Sequence, residues 1–83
     1  MGNLPLVYVK TGCPWCAEAL EFLDDNGIEY CTLNVREDPK AMQEMIEVSG
    51  QSKSPTMVWS DGDVLADFGA AELESFLRDK GVL

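Results

Sequence analysis

Cys13 and Cys16 enclose Pro14 and Trp15 in a C-x-x-C motif. The motif follows a short apolar run, Leu6-Val7-Tyr8-Val9, and precedes a helix-like stretch from Ala17 to Asp25. A strand that stops, a two-cysteine turn and a helix that starts put the first sulfur at a helix N-terminus. Unpaired backbone N–H groups and the positive end of the helix dipole meet there. A thiol in that position is stabilised as its thiolate, the species that attacks disulfides. The second thiol lies about one helical turn on, near enough to close a disulfide with the first. The chemistry implied is thiol–disulfide exchange. The competing use, half of a zinc site, needs two further donors, and the chain offers Cys31 and no histidine.

Apolar spacing gives the elements that must hold this motif. A first strand is expected from Leu4 to Val9. The first helix runs from Pro14 to Asp25, with Leu20 and Leu23 on one face and Gly27 as its stop. Tyr30 to Val35 alternates as a second strand, placing Cys31, Leu33 and Val35 on one apolar face and making Cys31 a small buried hydrophobe. Asp38 and Pro39 open a second helix whose inner face holds Met42, Met45 and Ile46, and Gly50 ends it. Thr56 to Trp59 is a third strand, Ser60 to Asp63 a hairpin turn and Val64 to Ala66 a fourth strand. The last helix covers Ala70 to Lys80, with Leu73, Phe76 and Leu77 inward and charges arranged to suit its dipole. The order is β-α-β-α-β-β-α, and the first β-α-β unit calls for two parallel strands with a right-handed crossover.

At 83 residues, 46% of them apolar, one small domain over residues 1–83 is expected. No apolar run is long enough for a membrane span. Met1-Gly2-Asn3-Leu4-Pro5 lacks the basic start and apolar core of a signal peptide, and Leu6 stands where a myristoylation site wants Ser or Thr. The expected location is the cytoplasm. A net charge of −9 repels phosphate backbones, which argues against nucleic acid as a partner. The absence of histidine removes the usual triads and imidazole metal sites. Four of the six basic residues, Lys10, Arg36, Lys40 and Lys53, are expected near the strand-end edge that carries Cys13, as a cationic island suited to an anionic peptide. Trp15 is expected at the rim of a substrate groove, because the inner face of the first helix is already filled.

The element order, the segment Lys10-Thr11-Gly12-Cys13-Pro14-Trp15-Cys16 and the later Ser54-Pro55-Thr56 resemble a glutaredoxin of the thioredoxin superfamily, of the C-P-W-C dithiol type. The resemblance covers essentially the whole chain. It implies an α/β thioredoxin-like fold with a four-stranded mixed sheet and three helices. It makes Cys13 the nucleophile and Cys16 the resolving thiol, and it puts a cis peptide bond before Pro55, facing the cysteines. The backbone of Ser54 would hold an extended thiol substrate, and Lys10 would meet the glycine carboxylate of glutathione. Pro14, Trp15 and Lys53 complete the glutathione-side residues around the motif. Many glutaredoxins carry Gly-Gly-x-Asp-Asp where the γ-glutamyl end docks; this chain has Leu65-Ala66-Asp67-Phe68-Gly69-Ala70, which leaves Asp67 and Phe68 as the docking residues.

The activity so implied is reduction of protein disulfides and glutathione mixed disulfides. No tightly bound cofactor or metal is expected; glutathione is the expected reductant, disulfide-containing proteins the substrates, and a monomer the expected state. Two alternatives stand beside this. The degraded docking segment suits a redoxin recharged by thioredoxin reductase. A glutathione-ligated [2Fe-2S] carrier is the other, and Pro14 directly after Cys13 argues against it.

Overall fold

The computed structural model describes residues 4–83, so the readings at Met1, Gly2 and Asn3 lie outside it. Seven elements follow in the expected order: β1 (Leu6–Val9), α1 (Pro14–Asp25), β2 (Cys31–Asn34), α2 (Pro39–Ser49), β3 (Thr56–Val58), β4 (Val64–Ala66) and α3 (Ala70–Asp79). The sheet order is β2-β1-β3-β4, with β1 and β2 parallel and the β1–β3 and β3–β4 pairs antiparallel. This is a mixed thioredoxin-like sheet. Among the described residues no helix is long and apolar enough to cross a membrane.

The two-residue period of β1 sets the layers. Val7 points into a cluster with Ala19 and Leu23 of α1, Met57 of β3, Phe68, and Leu73 and Leu77 of α3. Tyr8 points the other way, into Val35 and the α2 residues Ala41 and Met45. Helices α1 and α3 therefore cover one face of the sheet and α2 the other.

Two sequence expectations need correction. Cys31 is exposed rather than buried. It opens the edge strand β2, and burial along that strand rises only toward Val35, which reaches the α2 layer. The buried face of α2 is Ala41 and Met45; Met42 is half-buried and Ile46 is 43% exposed. A single helical stripe one residue to the side explains both sets, because Ala41 and Met45 are four apart and Met42 and Ile46 form the neighbouring row.

The helix ends follow local chemistry. The Asp38 carboxylate accepts the Lys40 N–H at 3.0 Å as the N-cap of α2, and Gly50 closes that helix at φ +71°, where a side chain would be strained. Helix α3 is tied to the β3–β4 turn. Lys80 is only 16% exposed at its side chain, lies 5.3 Å from the Phe76 ring centre and pairs with Asp61 at 2.6 Å and with Asp63. Trp59 meets Phe76 edge-on at 6.0 Å.

The segment between α2 and β3 is held by a polar network. Gln51 donates to Ser49 Oγ at 2.8 Å and Thr56 Oγ1 at 2.9 Å, and its Oε1 accepts the Lys53 N–H at 2.6 Å. The Thr56 hydroxyl, fully buried, donates to the Lys53 carbonyl at 2.7 Å. Both ends of residues 51–56 are thereby pinned to one another.

Met45→Ala should cost ~2–5 kcal/mol, because it empties a fully buried site. Ile46→Ala should cost less than ~1 kcal/mol at its exposed position. Urea unfolding followed by circular dichroism measures both, and equal losses would refute this assignment of the buried stripe. Thr56→Val keeps the shape but leaves the Lys53 carbonyl and one Gln51 donor unpaired, so a loss of ~1–3 kcal/mol is expected by the same assay. A neutral result would mean that residues 51–56 are held by packing alone.

Candidate active site

Cys13 is the N-cap of α1. Its φ of −96° and ψ of 108° are extended, and Pro14 occupies the first helical position, where a missing N–H costs nothing. The Cys13 sulfur takes the role that a serine or aspartate oxygen usually fills: it accepts the Cys16 N–H at 3.3 Å. The Cys13 thiol also reaches the Ser54 carbonyl oxygen at 3.9 Å. The Ser54-Pro55 peptide is cis, as the resemblance implied, and Ser54 lies alongside the motif.

The preceding loop is braced from β2. Asn34 donates to the Thr11 hydroxyl at 2.7 Å, and Arg36 donates to the Thr11 carbonyl at 3.4 Å. The Cys13 N–H closes the turn onto the Lys10 carbonyl at 3.2 Å, and Gly12, at φ +80°, makes that turn possible.

The two thiols differ in environment. Cys13 is partly exposed, whereas Cys16 is 3% exposed. Partial burial pushes the Cys13 thiol up. Hydrogen bonds from the Cys16 thiol, the Cys16 N–H, the Ser54 side chain and the Trp15 N–H outweigh it, and the group sits below the usual cysteine range. Hydrogen bonds from the helix start and from Ser54 do this. Burial pushes the Cys16 thiol up, and its own donation to Cys13 pushes it further. The two shifts run in opposite directions: the surroundings favour the charged form at Cys13 and the neutral form at Cys16.

Around Cys13 the surface forms a groove. One hollow of about 450 Å³ is lined by Lys10, Gly12, Cys13, Pro14, Trp15, Ser52, Lys53, Ser54 and Asp67. A second, of about 260 Å³, continues past Trp15 and Ser54 to Pro55, Asp67, Phe68, Gly69 and Glu72. Every predicted site residue lines one of these hollows except Cys16, which borders a third hollow on the other side of Cys13, against Val9, Ala17 and Leu20. Trp15, 62% exposed, stands at the rim as expected.

The cationic island is smaller than expected. Lys10 and Lys53 face the groove, and Arg36 braces the loop behind it. Lys40 lies elsewhere, in a depression with Gln43, Glu44 and Glu47. Lys53 pairs with Asp67 at 3.8 Å across the groove. Asp67 holds the left-handed φ of +51°, a conformation aspartate tolerates better than most residues, and its N–H donates to the Pro55 carbonyl at 3.0 Å. Its carboxylate is turned to the groove by that bend between β4 and α3.

Sequence reasoning missed Gln51, Thr56 and Glu72. Gln51 and Thr56 position Lys53 and Ser54, and a polar threonine opening a buried strand was the one visible signal. Glu72 lines the groove from α3, three residues past a glycine N-cap, a spacing that admits a return bond to the cap N–H.

Comparison with known proteins agrees with this architecture. The glutaredoxin family model matches residues 6–65. An uncharacterized glutaredoxin-like 8.6 kDa protein in the rubredoxin operon of Clostridium pasteurianum is 32% identical over 72 residues, covering 87% of this chain and 95% of that protein. The crystal structure of a thioredoxin-like protein superposes with a TM-score of 0.79 at 32% identity, over 88% of this chain and 99% of the other. Buckwheat glutaredoxin, solved as a complex with glutathione, shares the fold at a TM-score of 0.73 and 20% identity, over 96% of this chain and 73% of the other. A redox-motif groove on a thioredoxin-like sheet, the family match and the 32%-identical relative converge: this chain belongs to the glutaredoxin family.

Proposed function

We propose that the protein is a dithiol thiol–disulfide oxidoreductase, acting on protein disulfides and on glutathione mixed disulfides. The observation that carries the reading is the bond from the Cys16 N–H to the Cys13 sulfur at 3.3 Å, at the open end of α1 and on the floor of a groove. Cys13 thiolate attacks one sulfur of a substrate disulfide, forming a mixed disulfide and expelling the other sulfur as a thiolate, which takes up a proton. Cys16 then loses its proton and attacks the Cys13 sulfur. A Cys13–Cys16 disulfide forms and the second substrate thiol leaves. Two molecules of glutathione would return the protein to the dithiol state, each becoming half of glutathione disulfide.

The groove supports roles for the remaining residues. Lys10 offers a cation to a carboxylate of the incoming thiol. Pro14 and Trp15 wall the groove on the motif side. Lys53, Ser54 and Pro55 wall it on the other, with the Ser54 backbone next to the sulfur. Asp67 and Phe68 close its far end. Family membership supports glutathione as reductant, and the open groove beside Cys13 is consistent with a short peptide-like thiol. One feature favours recharging by thioredoxin reductase instead: the Glu72 carboxylate already occupies the start of α3, where an anionic end of a small thiol would otherwise dock. Turnover with glutathione and its reductase, measured beside turnover with thioredoxin reductase and NADPH, separates the two readings.

Alkylation by iodoacetamide should follow the thiolate fraction. Cys13 should react first as pH rises, with a midpoint below that of an ordinary thiol, and Cys16 should react last. Peptide mapping of alkylated protein at pH 6 checks this, and prior reaction of Cys16 would reverse the assigned roles.

Cys16→Ser keeps a hydroxyl donor near Cys13 and removes the resolving thiol. Reduction of a small glutathione mixed disulfide should persist within about tenfold of wild type, since that route uses Cys13 alone. Reduction of a protein disulfide should fall by at least about a hundredfold, because it loses its resolving step. Cys13→Ser should abolish both. Equal loss of both activities in the Cys16 variant would exclude the two-thiol mechanism.

A further inference from the structure

The hollow on the far side of Cys13 has no part in the chemistry described so far. It measures about 460 Å³, and Val9, Pro14, Ala17 and Leu20 supply its apolar floor and walls. Pro14 and Ala17 are exposed. Val9 and Leu20 are half-buried, packed against the core on one side and open on the other. The polar border is already satisfied. The Asn34 amide donates to the Thr11 hydroxyl at 2.7 Å, and the Thr11 carbonyl accepts from Arg36 at 3.4 Å. Lys10 is the one charged neighbour of this hollow among the described residues. A polar ligand therefore finds few free partners there, whereas an apolar side chain leaves water without stranding a polar group.

Lys10, Gly12, Cys13 and Pro14 also border the 450 Å³ groove. The reactive sulfur thus stands on a divide between a hollow with two lysines and one that is mostly apolar. Cys16 lies beneath it, on the apolar side, and borders no part of the lysine groove. Exchange at a disulfide proceeds along the S–S axis. Cys16 can therefore displace a substrate thiol only when that sulfur sits over Cys13, away from Cys16. A polypeptide so joined crosses the divide. In an extended chain the side chains alternate, so the residues two before and two after the joined cysteine point down with it, each ~6.6 Å along. One of them meets the lysine groove and the other meets the apolar hollow. Glutathione, which ends one residue to either side of its cysteine, has no apolar side chain to place there.

We propose that this hollow is a specificity site for polypeptide substrates: it receives an apolar side chain, of leucine or phenylalanine size, two residues from the substrate cysteine and on one side of it only. The inference rests on the thiol-exchange reading of Cys13. It deepens that reading by naming the substrate class, protein disulfides flanked at that spacing by an aliphatic or aromatic residue. The hollow is open to solvent, so the side chain is partly rather than fully buried, and the gain is a matter of several-fold.

The test uses 2-pyridyl disulfides of three peptides, each with a single cysteine among serines. One carries leucine two residues before the cysteine, one carries it two residues after, and one has no leucine. Cys31→Ser stands in every protein used, because the exposed Cys31 thiol would also consume the reagent. Cys13 thiolate attacks the peptide sulfur, the Cys13–peptide disulfide forms, and the S–S bond to the pyridyl group breaks. Pyridine-2-thiolate leaves, takes a proton from water and absorbs as the thione. No reductant is needed, so the rate reads the surface without assuming what recharges the protein. Rates divided by that of the leucine-free peptide cancel any general change in Cys13 reactivity. One leucine placement should react about three to ten times faster than the leucine-free peptide, and the other within about twofold of it. The advantage should hold as salt rises, since it is not electrostatic. Ala17→Gln, at an exposed helix position, lays a neutral polar side chain across the hollow and should bring the advantage close to one. Leu20→Ala should lower it in part. No advantage for either placement, an equal advantage for both, or an advantage that survives both substitutions would overturn the hollow as a substrate site and leave thiol exchange standing. If Cys13→Ser releases the thione from every peptide as fast as the protein that keeps Cys13, thiol exchange at Cys13 is itself wrong, and the inference falls with it.

Discussion

The N–H of Cys16 pointing at the sulfur of Cys13 is the contact on which the rest depends. A helix start must find acceptors for its first N–H groups, and this chain supplies a sulfur where most supply an oxygen. The same geometry fixes three things. It stabilises negative charge on Cys13, it fixes Cys16 one turn away beneath it, and it leaves the first sulfur accessible from the groove. Pro14 makes the arrangement cheap, since its ring favours the helical φ and its nitrogen has no hydrogen to satisfy. The remainder of the fold sets where this helix start can stand. Strand β1, inside the sheet, ends just before the motif loop, Asn34 and Arg36 brace that loop, and the Gln51–Thr56 network presents Ser54 from the opposite side.

Two thiols with opposed tendencies follow from unequal burial combined with one shared hydrogen bond. The Cys16 thiol donates to Cys13, which favours charge on the acceptor and disfavours it on the donor. A substituent that weakens that bond affects both groups in opposite directions. The titration of the pair therefore belongs to the pair rather than to either residue.

Most of the fold was legible because its signals are local. Gly27 and Gly50 stop helices, Asp38-Pro39 starts one, and Ser60-Asp61-Gly62-Asp63 turns a hairpin; each rule acts over a few residues, and all seven elements appeared in order. The errors arose where the answer depends on partners distant in sequence. Alternation placed Cys31 inward, yet whether a strand face is covered depends on the strand's place in the sheet, and β2 stands at the edge. Met42 and Ile46 were chosen over Ala41 because larger apolar residues draw attention, whereas the close approach of α2 to Tyr8 calls for a small one. The C-x-x-C motif was legible through its spacing, and the proline loop through the family resemblance alone. Gln51 and Thr56 were not, because a polar network between a loop and a strand start leaves no period to read. Lys40 was misplaced for the same reason: being basic and near the right strand end says nothing about the direction in which a helix presents it.

Net charge and local charge act on different scales in this molecule. A formal charge of −9 disfavours anionic ligands at long range, but such fields fade beyond ~8 Å at physiological ionic strength. At contact the nearest groups decide, and beside Cys13 those are Lys10 and Lys53. Asp67 moderates Lys53 through their ion pair, and Glu72 takes the one helix start that lies along the groove apart from that of α1. The positive charge of the groove is therefore concentrated at the end with the Cys13 sulfur and opposed at the other.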